Sequence, residues 1–244
     1  MSADPEDKST SKAADGELPN VPLLDAGIAQ EEAKPSWRGW IHAGTFPLAI
    51  GLGIVLIASA HGPAAKVASS VFVLSSLLLF GISALYHRFN WRPGPRRFLK
   101  RLDHANIFLL IAGSYTPITV LALSHDKAVL LLTLVWIGAG LGIVFNVFWI
   151  GSPRWLYVPL YLLLGYASLA FIVDFFSANA AMMSLILAGG VLYTIGAVIY
   201  GLKRPNPVPG VFGFHEIFHA LTLFAFLCHF SAIYLVATAP PVLG

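Results

Sequence analysis

The chain is short of charge and nearly devoid of cysteine. Asp, Glu, Lys and Arg make up 11% of its 244 residues, and the single cysteine, Cys228, lies inside an apolar run. One thiol excludes an intramolecular disulfide and a Cys-rich metal site, so any metal must be held by histidine and carboxylate. Acid is scarcest where the chain is apolar: eight of the twelve acidic residues precede residue 33, leaving Asp103, Asp126, Asp174 and Glu216 for everything after it. A basic stretch followed by an apolar core is missing from the first residues, which argues against a cleaved signal peptide. Their acidic, Pro/Ser-rich composition reads as a disordered tail over residues 1–36.

Apolar residues are what the chain has in excess. At 57% hydrophobic content and a mean hydropathy of +0.75 it is too apolar for an ordinary soluble domain. A helix needs roughly 20 apolar residues to cross a hydrocarbon core of about 30 Å. Seven such runs are present, near 40–60, 66–87, 103–124, 128–150, 155–176, 182–201 and 213–237. The expected fold is therefore an all-α membrane protein, a seven-transmembrane helix bundle over residues 37–244. Pro47, Pro117 and Pro159 fall inside runs and predict kinks more than breaks. Gly138, Gly140 and Gly142 make one side of the fourth run small, which favours a packing seam over a dimer interface and leaves a homo-oligomer open.

Loop charge sets the expected orientation. Residues 88–101 carry Arg88, Arg92, Arg96, Arg97, Lys100 and Arg101 with no acid, and the loop after the sixth run carries Lys203 and Arg204. Both belong on the cytoplasmic side by the positive-inside rule. Lys34 and Arg38 before the first run and Arg154 after the fourth agree, while the loop after the fifth run has no base. The N-terminus is then cytoplasmic and the C-terminus outside, in a plasma (inner) membrane. Basic residues confined to short loops between apolar runs point to anionic lipid and insertion topology, not to nucleic acid.

With that topology, His87 at the end of the second run, Asp103 at the start of the third, and His215 and His219 at the start of the seventh share one depth on the cytoplasmic side. Ionisable side chains within spanning helices are costly and usually face partners in the bundle interior. His215 and His219 are four apart, so their imidazoles share a helix face about 6 Å apart. His87 supplies a third nitrogen, and a fourth position is left for water, with Asp103 bonding that water or the metal. Three protein ligands plus water is the pattern of catalytic zinc. Ser83, one turn before His87, either orients the histidine or water, or bonds its own helix. His42, His61 and His125, at or near helix ends, and His104, about 100° around the helix from Asp103, read as surface or packing residues. His229 lies about 20 Å deeper than His215 by helical rise, and Glu216 points off the metal face.

SALYHRF at 83–89, LDHANIFLLIAGSYTP at 102–117 and FHEIFHALTLFAFLCHF at 214–230 resemble the progestin and adipoQ receptor family in its bacterial hemolysin III branch. The resemblance implies a seven-helix bundle with a cytoplasmic N-terminus and Zn2+ held by His87, His215 and His219. It also implies that Asp103 contacts the zinc-bound water and that Ser83 lies close to it. The first helix departs from the family pattern of an acid, an Asn and a His: PSWRGWIH at 35–42 keeps His42 alone.

The family's similarity to ceramidases implies a zinc-dependent hydrolase of a lipid amide or ester, with Asp103 as general base. A membrane lipid is then the substrate, reaching the site laterally past aromatics such as Phe89, Phe108, Tyr115, Phe214 and Phe218. No soluble protein partner is implied. The alternatives are a non-enzymatic membrane sensor or homeostasis protein with a structural zinc, and cytolysis, which the branch name carries but for which no secretion signal or amphipathic pore stripe is seen. Ion transport would need a continuous charged path, which four scattered acids do not supply.

Overall fold

The computed structural model describes residues 35–149 and 152–241. The tail expected over 1–36 therefore lies, but for Pro35 and Ser36, outside the described residues. Seven helical spans are long and apolar enough to cross a bilayer. They are built from α1 (Trp40–Ser59), α2 (Gly62–Arg88), α3 (Pro93–Ala122), α4 (His125–Phe148), α5 (Arg154–Gly165), α6 (Ile172–Ala178), α7 (Ala180–Leu202) and α8 (Phe214–Thr238). The fifth span, Arg154–Ala178, is made of α5 and α6 joined by a 3₁₀ turn at Ala167–Phe171. No strand occurs among the described residues, only an isolated bridge between Val208 and Phe212 in the α7–α8 connection.

Spans adjacent in sequence pack on one another, α8 closes against α1, and α3 reaches across to α8 and to the fifth span. The central position of α3 shows in its burial: 72% of its most apolar window is inside the bundle, against 22–44% for the other six. Hydrocarbon solvates the rest, which is why Leu141, Val67 and Val173 stand exposed without being misplaced.

Two element boundaries differ from those expected. The third span starts at Pro93 and not near 103, so most of the basic segment is helix and only residues 89–92 are loop. Proline fits the first turn of a helix because its missing N–H has no partner there anyway, and charged residues hold a helix beyond the apolar core. The prolines at 47, 117 and 159 all lie within continuing helices. The interruption falls instead after Gly165. There the Tyr115 hydroxyl donates to the Gly165 carbonyl (2.7 Å) and accepts from the Ser168 N–H (2.8 Å), partnering backbone groups the broken helix has released.

The glycines of α4 are used inside the chain. A Cβ at Gly138 would come within 2.8 Å of Leu164 on α5, and one at Gly142 within 2.6 Å of Phe108 on α3, while Gly140 faces nothing within 4 Å. At the ends, Asn179 accepts from the Met182 N–H at 2.8 Å to cap α7, and Glu216 accepts from the Gly213 N–H at 2.8 Å to close the first turn of α8.

Candidate metal centre

The last turn of α2 and the first two turns of α8 meet at the same end of the bundle, and α3 packs against both. His87, His215 and His219 each offer one nitrogen, and the three lie within 4.8 Å of one another. The His87 and His215 Nε2 atoms are 3.3 Å apart, long for a nitrogen–nitrogen hydrogen bond. Two nitrogens at 2.0–2.1 Å from a tetrahedral ion stand about 3.3 Å apart by geometry. The donor set, three imidazoles without sulfur, suits a divalent transition ion, zinc among them. The residues present therefore fit such an ion.

Asp103 approaches from α3, its Oδ2 3.6 Å from His87 Nε2. At that distance it is a charged neighbour of the cluster, and it is not among the residues that close around the triad. The Ser83 hydroxyl, nearly fully buried, lies beside the same carboxylate. All five candidate residues, His87, Asp103, Ser83, His215 and His219, thus come to one place from three helices.

Four of them, Ser83, Asp103, His215 and His219, also line a cavity of about 270 Å³ that descends from the cluster between α3, α5, α7 and α8. Its walls are mostly apolar, including Ile107, Ile111, Val158, Leu187 and Ala197, with tyrosines at 115, 157, 161, 166, 193 and 200. Of the aromatics expected along a lipid path, Tyr115 and Phe218 line the cavity. Phe108 packs beneath Gly142, and Phe89 and Phe214 lie outside the lining.

Two histidines set aside on sequence grounds belong to this neighbourhood. His42 is only 2% exposed, not solvated at a helix end. Its ring lies flat on His219, centroids 3.8 Å apart and planes 8° apart. His104 lines the cavity with its Nδ1 2.9 Å from the Lys100 carbonyl oxygen. His61 and His125 are exposed, as expected of helix ends. Glu216 does point off the cluster, into an ion pair with Arg38 of the α1 lead-in. The position of His42 had one sequence signal, the histidine of the first-helix family pattern; the pairing of Arg38 with Glu216, 178 residues away, had none.

Comparison with known proteins agrees with these motifs. The sequence model described as "Haemolysin-III related" matches residues 30–230. Hemolysin-3 of Bacillus cereus is 35% identical over 149 residues, covering 60% of this chain and 68% of that protein. The hemolysin-3 homolog of Bacillus subtilis is 31% identical over 172 residues, or 70% of this chain and 78% of the relative. More distantly, the adiponectin receptor protein of Drosophila melanogaster is 25% identical over 186 residues, 69% of this chain and 42% of the receptor.

Proposed function

Because the chain belongs to the haemolysin-III-related branch of the progestin and adipoQ receptor family, and because its triad heads an apolar cavity, we propose that it is a zinc-dependent membrane hydrolase of a lipid amide or ester. The observation that carries this reading is the placement of a carboxylate, Asp103, beside three imidazoles at one end of a cavity lined chiefly by aliphatic and tyrosine side chains.

His87, His215 and His219 hold the ion, which when bound lowers the pKa of water and polarises a carbonyl. The chain's own groups do the rest. Asp103, whose side chain is 15% exposed, takes a proton from the attacking water, then returns it to the leaving amine or alcohol. Ser83 holds that carboxylate in place. The apolar cavity takes the acyl chain and excludes water from it, which fixes the scissile group at the end where the imidazoles stand. The loop charges argue for this end lying on the cytoplasmic side of the plasma membrane. The name of the Bacillus relatives points to lysis of red cells; no lytic step is part of this proposal.

A structural ion is the second reading, since the same three imidazoles tie α2 to α8. Metal analysis of the purified protein tests the site: about one zinc per chain is expected for the wild type and a loss of most of it for His219→Ala. Full retention in that variant refutes the site. Incubation with a panel of ceramides and acyl esters then tests the reaction. Release of fatty acid that Asp103→Asn lowers at least about 100-fold, with zinc retained, supports the hydrolase. Absence of release from the whole panel, or undiminished release by Asp103→Asn, favours the structural ion.

A further inference from the structure

Three residues at the start of α1 bear on the triad, each on a different ligand. Gly39 is buried with φ of 81°, and a Cβ there would stand 2.8 Å from His87 Cβ and 3.2 Å from the Arg88 nitrogen. Only glycine offers both the left-handed backbone and the space, so the main chain itself rests against the root of His87. Arg38 pairs through Nε with Glu216 Oε1. The other Glu216 oxygen closes the first turn of α8, the turn that presents His215. His42 lies flat on His219 and meets the Phe80 ring at a near-right angle, centroids 5.1 Å apart.

Metal-binding imidazoles are generally aimed by a hydrogen bond from the nitrogen that does not face the ion. Among the described residues His219 has no such bond; its ring is confined by the His42 face instead. His42 for its part has no partner of ordinary hydrogen-bond geometry at either ring nitrogen. The lead-in is itself fastened: the Ser36 and Trp37 N–H groups donate to the Gly210 and Val211 carbonyls at 3.1 and 3.3 Å, and the Arg88 guanidinium sits 4.0 Å over the Trp40 ring.

We propose that residues 38–42 form a positioning element for the metal centre, in which Gly39 seats His87, Arg38 seats the α8 turn of His215 through Glu216, and His42 sets the ring plane of His219. None of the three is a ligand. This gives the first helix, where the family pattern is reduced to one histidine, a share in the site equal to that of α2 and α8. The inference rests on the metal reading above.

The test is metal affinity of the full chain in detergent micelles, measured with Zn2+ against a chromophoric chelator and with Co2+ by its visible absorption. Gly39→Ala and His42→Ala are expected to weaken Zn2+ binding roughly 10- to 100-fold and to alter the Co2+ bands, His42→Ala with metal-free melting little changed and Gly39→Ala with a lowered melting temperature as well, because its backbone and its contact with His87 leave no room for a Cβ. His42→Phe, which keeps a flat face on His219, is expected to recover most of the affinity, and Arg38→Gln to lie between. Wild-type affinity in both Gly39→Ala and His42→Ala overturns the proposal, as does a loss in His42→Ala that only follows a lowered metal-free melting temperature. If Gly39→Ala folds poorly, the His42 pair decides: equal loss in His42→Ala and His42→Phe at unchanged melting overturns the role of the stack. A wild type that binds neither ion fails the metal reading itself, which separates the two failures.

Discussion

Replacing Tyr115 by Phe removes one oxygen from the bundle and should destabilise it well beyond the usual effect of a hydroxyl. That oxygen serves the broken fifth span twice, donating to Gly165 O at 2.7 Å and accepting from Ser168 N at 2.8 Å. Ser168 is 5% exposed, and hydrocarbon offers no other donor or acceptor. An orphaned buried polar group costs about 1–3 kcal/mol, and a carbonyl facing the cavity sits at the low end, so the two together come to about 2–4 kcal/mol. Side-chain hydrogen bonds between membrane helices average only about 0.6 kcal/mol, because the unfolded chain in the bilayer finds other partners. Here the unfolded state worsens the balance: a free fifth span is able to re-form a continuous helix that pairs both groups, so the loss falls on the folded state alone. Reversible unfolding in mixed micelles, followed by tryptophan fluorescence, measures it. Ser168→Ala, which keeps the backbone N–H that donates to Tyr115, is the control and should cost no more than about 1 kcal/mol. A Tyr115→Phe variant within about 0.5 kcal/mol of wild type refutes the reasoning.

The two outer glycines of the α4 seam should part company with the middle one. Gly142→Ala drives a methyl into the Phe108 ring and is expected to cost about 1–3 kcal/mol by overpacking, whereas Gly140→Ala, with nothing within 4 Å, should be neutral or gain up to about 1 kcal/mol of helix propensity; the same unfolding assay reads both. Asn146→Leu removes donation to the Tyr161 hydroxyl at 3.0 Å and the His104 carbonyl at 3.4 Å and is expected to cost about 1–2 kcal/mol, less than Tyr115→Phe because Tyr161 still donates to His104 O at 3.2 Å. At the far end of the bundle, Lys127→Ala breaks a 2.6 Å pair with Asp174 whose side chains are 47% and 37% exposed. Its effect should be under about 1 kcal/mol and shrink with added salt.

The existence and order of the seven spans were legible in the sequence because hydrocarbon solvation demands about 20 apolar residues per crossing, and that demand is written locally. The candidate triad was legible for a related reason. A histidine or carboxylate is conspicuous against an apolar background, and three histidines and an aspartate at the ends of apolar runs reveal their common depth through spacing alone. Depth is a one-dimensional quantity that counting residues supplies. The family motifs then pointed to the same positions, His87, Asp103, His215 and His219.

What only the tertiary structure decided depends on rotation and on contacts between distant segments. Counting placed His42 near an interface, but whether that interface is water or the face of His219 depends on how α1 is turned against α8. The Arg38–Glu216 pair and the contact of Gly39 with His87 join residues far apart in sequence, and no local pattern encodes them. The break in the fifth span was hidden too: three prolines advertised kinks, yet the helix opens at Gly165, where Tyr115 from another helix supplies the bonds that the opened turn needs. In a bilayer a span is set by its own composition, because solvation acts on each residue separately. A site is set by which faces the packed helices turn toward one another, and that is a property of the whole bundle.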